Sequence, residues 1–161
     1  MPVAIGAVVL TATILALAGP ATAIAQSGAG ATSPAKAACS LMTPQEIAGI
    51  TGTRIREGEP QEVPGGMGTE CRFRYSNSNW VHVALGRTDE KTFAQFRGLL
   101  GAQAEIQAGV GDEAVFWGNR RIHVRVGTHE LTLGLPGNDD GNAATKAQVL
   151  ALAKLGASRL R

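Results

Sequence analysis

The pattern of apolar and polar positions changes period several times along the 161 residues, and each change marks an element. In Leu41-Met42-Thr43-Pro44-Gln45-Glu46-Ile47, Thr43 offers an N-cap, Pro44 suits the first helical position and Glu46 completes a capping box, while Met42 and Ile47 are spaced to staple the turn. This spacing predicts a short helix over 44–50, ending near Gly49 or Gly52. Strict alternation follows. Cys71, Phe73 and Tyr75 share one face and Arg72, Arg74 and Ser76 the other; after Asn77-Ser78-Asn79, the residues Val81, Val83 and Leu85 alternate with Trp80, His82 and Ala84. The two runs predict an antiparallel pair.

Over 88–100 the period becomes helical, with Phe93, Phe96, Leu99 and Leu100 on one side and Asp89 and Glu90 in the first turn. A second alternating block runs from Glu113 to Trp117, through Ile122, Val124 and Val126 against Arg121, His123 and Arg125, to Leu131, Leu133 and Leu135. Gly118-Asn119 and Gly127-Thr128 are short turn signals, so this block predicts a three-stranded meander. Val149, Leu152, Ala153, Gly156 and Leu160 recur at helical spacing in a closing helix over 143–160. The sum is an α+β fold: an antiparallel sheet of about five to six strands with two to three helices packed on one face.

Composition changes this picture at the N-terminus. Residues 1–25 contain no Lys, Arg, Asp or Glu, and 18 of the 25 are apolar. The run from Val3 to Ala18 stops at Gly19-Pro20 and leads into small residues of the Ala-x-Ala kind, the layout of a secretory signal peptide cleaved before Gln26. The run is shorter than the ~20 residues that cross a bilayer, so no stable membrane span is expected once the signal is removed. Residues 26–38 hold no large apolar side chain and read as a flexible linker, leaving 39–161 as a single domain of a secreted or periplasmic protein. Export places Cys39 and Cys71, the only cysteines, in an oxidising compartment, where a structural disulfide is the default. On the chain-entropy view it would contribute about 3–4 kcal/mol for a loop of roughly 33 residues.

Charge narrows the function classes. Fifteen Lys and Arg against 13 Asp and Glu exclude a polybasic tail, so no specific nucleic-acid partner is expected and any electrostatic partner must be met by a local patch. Alternation gathers such a patch: Arg72, Arg74, Trp80, His82, Arg121, His123 and Arg125 fall on the noncore side of the strands. Guanidinium forks suit carboxylate or phosphate, and an indole supplies a stacking surface. The competing reading is a solvated face whose long side chains pair with nearby acids such as Glu130. His82 and His123 supply only two ligands, so no metal site and no cofactor are expected. Gly109-x-Gly111-Asp112 reads as a turn before a strand. Asn138-Asp139-Asp140-Gly141-Asn142 lacks the spacing of a calcium loop and reads as a turn capping the last helix.

Cys39-Ser-Leu-Met-Thr-x-x-Glu46-Ile, Cys71-x-Phe73 and Gly109-Val-Gly-Asp112-Glu-Ala114, followed by the meander, resemble a group of uncharacterised secreted or lipid-anchored bacterial proteins, many of them actinobacterial. The resemblance covers most of 39–160. It implies an exported α+β domain loosely similar to the Mog1/PsbP type of fold, with no activity to carry over, and this chain lacks the anchoring cysteine of the lipoprotein members. The function expected is a non-enzymatic binding module that meets an anionic envelope component or a partner protein through the Arg/Trp/His face. The alternative is a secreted enzyme inhibitor acting through the glycine-rich loops 64–68 or 137–141. A hydrolase would require a pocket that joins His82 or His123 to a buried carboxylate.

Overall fold

Thr43 starts the first helix as its sequence predicts. In the computed structural model, which describes residues 37–75, 79–137 and 143–161, its side chain accepts from the Glu46 backbone N–H while Glu46 reaches back to the Thr43 N–H at 2.9 Å. This closed capping box opens α1 (Pro44–Thr51), which ends at Gly52 in the left-handed conformation. The other helices are α2 (Glu90–Leu100), capped by Asp89, and α3 (Ala143–Ser158). The expected export signal, most of the linker, Ser76 and the 138–142 turn lie outside the described residues. Among those described, no helix is long and apolar enough to cross a membrane.

Seven strands, β1 (Gly58–Val63), β2 (Gly68–Arg74), β3 (Trp80–Arg87), β4 (Ala104–Ile106), β5 (Glu113–Trp117), β6 (Arg121–Val126) and β7 (His129–Gly134), form one antiparallel sheet. The order is β1-β2-β3-β7-β6-β5-β4. The α+β class is the expected one, with two strands more than the alternation marks. β1 and β4 are the sheet edges: one carries Pro60 and three charged or amide side chains, the other is three residues long, and neither shows the period-2 signal of a half-buried strand.

One face of the sheet holds the main core. Cys71, Phe73, Val81, Val83, Phe116, Ile122, Val124, Leu131 and Leu133 are buried there with Ile47 of α1 and Val149, Leu152 and Ala153 of α3. Ala38, in the 3-10 turn Ala38–Leu41, is fully buried and donates its N–H to Thr69 Oγ1, so the folded domain reaches at least one residue upstream of Cys39. The Cys39–Cys71 disulfide forms, with Cα atoms 4.9 Å apart, and ties that turn to β2.

The helices do not share a face. Phe93 of α2 is fully buried outside the main core cluster, Phe96 lies 4.5 Å from the His123 ring, and Arg97 pairs with Glu113. His123 and Glu113 belong to the parity opposite Val124 and Ala114, which places α2 on the second face, over β5 and β6. The periodicity that identifies α2 does not say which face of a sheet it covers. Leu99, one of its expected apolar positions, faces water at 87% exposure.

The Gly109-Val-Gly-Asp112 segment is a structural lock. Val110 is buried, Asp112 accepts from the Gly127 N–H at 2.7 Å and donates its own N–H to the Arg125 carbonyl, and the left-handed Gly111 (φ +60°) has no room for a side chain beside Arg125 and Val124. The loop is thereby fastened to the β6–β7 hairpin.

Two predictions follow from these contacts. A Cβ on Gly58 would run into Cys71 Sγ and approach Phe73 Cε1 at 2.8 Å. Gly58→Ala should therefore cost about 1–3 kcal/mol in urea unfolding, and part of that cost should vanish in a Cys39→Ala/Cys71→Ala background; strict additivity would refute the steric account.

The second concerns Glu46. Hydrogen bonds from Arg159, then from the Thr43 backbone and hydroxyl, lower its pKa from 4.5 to about 2. A folded value below the unfolded one means that these contacts stabilise above the unfolded pKa and are lost as pH falls from about 4.5 towards about 2. Glu46→Gln should flatten the pH dependence of unfolding across that window, and an unchanged slope would refute the assignment.

Candidate functional site

Register decides which of the expected site residues meet. Pairing across the sheet puts Glu59, Arg72, His82, Gly134, Arg121 and Trp117 in a single row on the second face, one residue from each of β1, β2, β3, β7, β6 and β5. The next row towards one end contains Arg74 and Trp80, and the next towards the other contains Glu70, Thr132, His123 and Val115. Alternation therefore predicts the face correctly. It does not predict that α2 covers part of it, or that acids from the same strands occupy the gaps.

His123 and Arg125 lie in the covered half. The His123 side chain is 10% exposed beneath Phe96, with Nδ1 2.9 Å from Glu130 Oε1 and 3.1 Å from Thr132 Oγ1. Arg125 is held 3.6 Å from Asp112, and both His123 Nε2 and Arg125 Nε are buried without a hydrogen-bond partner among the described residues. These two residues belong to the second, polar-lined packing layer and do not reach a ligand surface.

Arg72 and Arg74 are half-buried and paired with acids. Arg72 grips Glu70 through Nε at 3.0 Å and Nη2 at 3.3 Å, and Arg74 stands 3.6 Å from Glu59 with its guanidinium 4.6 Å from the Trp80 ring centre. Glu70 also meets His82 Nδ1 at 2.5 Å. Burial works to raise the Glu70 pKa, but the hydrogen bonds from Arg72 and His82 outweigh it and hold the carboxyl below its ordinary value. An ionised carboxylate only accepts, so His82 carries its proton on Nδ1 and leaves Nε2 as its unengaged ring nitrogen.

Beside this network an open cleft of about 770 Å³ runs along the row. Trp80 and Asn79 form one wall, Trp117 and Gln103 the other, and Leu135, Pro136 and Gly137 close one end together with Arg120. His82, Gly134 and Arg121 make the floor. Gln103 Oε1 accepts from the Trp117 indole at 3.2 Å and fixes its plane, while the Arg121 guanidinium lies 5.3 Å from the Trp117 ring centre. Arg121 has no carboxylate partner among the described residues. Among the described residues it is thus the one expected site arginine whose charge is not met by an acid. Arg120 donates to the Pro136 carbonyl at the cleft end.

Gly134 shapes the floor. A methyl group in its place would lie 3.8 Å from both His82 Cβ and the Arg120 carbonyl oxygen and 3.9 Å from Arg121 Nε, ordinary contact distances, so an atom seated over Gly134 would touch all three. Reading by parity missed Gly134, Glu70 and Gln103. A glycine inside the run Leu131-Thr-Leu-Gly134 signals close approach of another group to the strand, and Glu70 shares the parity of Arg72 and Arg74. Gln103 left no signal, because it follows the helix in a 3-10 turn (Gly101–Gln103) outside any alternating run.

Of the seven expected ligand residues, the cleft gathers Trp80, His82 and Arg121 and adds Trp117. The His82–Glu70 pair supplies a base and its orienting group, yet the described cleft residues include no Ser, Thr or Cys nucleophile. No three His, Cys, Asp or Glu side chains cluster among the described residues in a way that would hold a metal ion. Comparison with known proteins found no matching family model, curated protein or solved structure.

Proposed function

We propose that this protein is an exported binding module that holds an anionic envelope component in the cleft between Trp80 and Trp117. The observation that carries the reading is Arg121: a guanidinium without an acidic partner among the described residues, laid against an indole and opening onto the glycine floor of an open cleft. Around it, three neighbouring arginines are paired with Glu70, Glu59 and Asp112, which leaves the cleft, where Arg121 stands next to Arg120, as the place on this face where an anion would be met. The Cys39–Cys71 disulfide is compatible with an oxidising compartment outside the cytoplasm and supports the export reading of residues 1–25.

Inhibition of an enzyme through a loop is favoured by one observation only. The β1–β2 hairpin tip at Pro64–Gly66 leads into Met67, 70% exposed, an apolar group at a protruding point.

Retention on an immobilised anionic polymer across a salt series tests the first reading. Arg121→Ser should reduce retention about tenfold, as loss of a charge-assisted hydrogen bond does, and Gly134→Leu should abolish it by filling the floor. Arg56→Ser removes the same charge from an exposed site outside the cleft and should leave retention nearly unchanged. Equal losses for Arg56→Ser and Arg121→Ser would overturn the cleft as the site. Capture of an enzyme that is lost with Met67→Glu, in a protein whose polymer retention ignores Arg121, would establish the inhibitor reading instead.

A further inference from the structure

Resting on the anion-site reading, we infer that Arg121 is an open fork for a two-oxygen anion, carboxylate or phosphate, and that Gln103 is the positioning residue that keeps it so by acting through Trp117. How each arginine of this face is held decides what it can still bind. A guanidinium has five N–H donors, all in its plane, and no acceptor. A carboxylate grips it by the edge and uses donors up, as Glu70 does with Nε and Nη2 of Arg72. An indole grips it by the flat face and leaves the edge free.

Two arginine–tryptophan pairs cross neighbouring strands of the sheet. Arg74 stands opposite Trp80 on β2 and β3, and Arg121 opposite Trp117 on β6 and β5. The guanidinium carbons lie 4.6 Å and 5.3 Å from the respective ring centres. In the first pair Glu59 comes to 3.6 Å from Arg74 Nη2 and meets the edge. In the second no hydrogen bond or ion pair reaches the Arg121 edge among the described residues, so the indole alone orients it. Arg121 Nε would lie 3.9 Å from a methyl group on Gly134, which sets the fork beside the open floor of the cleft. A charge that has to be held in place and kept available is met here by a face contact, and the angle of the indole then fixes the direction of the fork.

Trp117 is itself constrained from two sides. Its ring lies 6.4 Å from the ring of His123, which gives that buried histidine a supporting part in the site. Its indole N–H donates to Gln103 Oε1 at 3.2 Å. Gln103 reaches the indole because the 3-10 turn Gly101–Gln103, closed by the Ala104 N–H to the Gly101 carbonyl, leads straight into β4 with Ala104 opposite Trp117. The residue that turns α2 into β4 therefore sets the angle of the indole and, through it, the direction of the Arg121 edge. The bond is exposed, so its contribution is small and bears on orientation more than on stability.

Fluorescein-labelled oligoglutamate, which carries carboxylate forks, and fluorescein-labelled polyphosphate, which carries phosphate forks, are each titrated with the full protein and read by anisotropy; a preference for either names the source of the oxygens. Arg121→Lys keeps the charge but has neither the flat face nor the fork, so it should lose about tenfold in affinity, as Arg121→Ser does, the weight of a charge-assisted hydrogen bond. Gln103→Met keeps the length of the side chain and removes its acceptor. It should lose about threefold, the low end of one neutral hydrogen bond, with the urea midpoint unchanged. In a Trp117→Phe background, where a ring remains and the N–H is gone, Gln103→Met should cost nothing further. Full affinity in Arg121→Lys overturns the fork while leaving the anion site standing. An equal loss from Gln103→Met in both backgrounds, or a loss that accompanies a lowered urea midpoint, overturns the positioning role. Full affinity in Arg121→Ser, or no binding of either probe, overturns the anion site itself.

Discussion

A shortage of helix on one side of the sheet is the constraint on which the rest of this molecule depends. Six strand spacings make the sheet roughly 29 Å wide, whereas the eleven residues of α2 form a rod of about 16 Å. On the main-core face, α1, α3 and the disulfide-tied turn cover the sheet. On the other face α2 seats Phe93 and Phe96 over β5 and β6, and the portion carried by β2, β3 and the adjoining ends of β7 and β6 is covered by no helix among the described residues. A central sheet surface can face water only if its side chains are polar and their charges are balanced, and Glu70, Arg72, His82, Arg74 and Glu59 meet that requirement among themselves.

That balance gives Arg121 its meaning. Exposed pairs such as Arg74 with Glu59 contribute little to stability, at most about 1 kcal/mol each, but they set what a visitor to the face encounters. A surface with four unpaired arginines would bind polyanions at large. With three of them held by acids, Arg121, which has no acidic partner among the described residues, lies in a cleft flanked by indoles, beside a floor position, Gly134, that carries no side chain. The same pairing places a histidine proton on a chosen nitrogen, because Glu70 can accept and cannot donate. The charge balance of the face and the His82 tautomer are thus consequences of one network of charges.

Much of the architecture was legible because it rests on local rules. Thr43 and Glu46 announce a capping box, Asp89 caps α2, and the period-2 runs from Cys71 to Val83 and from Ile122 to Leu133 give both the strands and their inward faces. What escaped depends on partners distant in sequence. The edge strands β1 and β4 have no buried face to impose a pattern. The side chosen by α2 is fixed by Phe96 meeting His123 and Arg97 meeting Glu113, pairs separated by 27 and 16 residues. Parity placed seven residues on one face, yet coverage removed His123 and Arg125 from reach, and neutralisation changed the role of Arg72 and Arg74. A pattern along the chain reports which side a residue takes and is silent about what else arrives there.

The glycines of the strands separate folding from function more sharply than the charges do. Gly58 is crowded by Cys71 and Phe73, Gly68 has φ +151° against the Leu85 carbonyl, and Gly86 would set a Cβ 3.0 Å from the Met67 carbonyl, so each answers a packing or backbone need. Gly134 answers none: its φ is not positive, and a Cβ there would meet nothing closer than 3.8 Å. Glycine inside a central strand weakens the strand through its larger unfolded-state freedom and its missing side chain. A residue that costs stability without relieving strain is best explained by the space it leaves, and that space lies between His82 and Arg121.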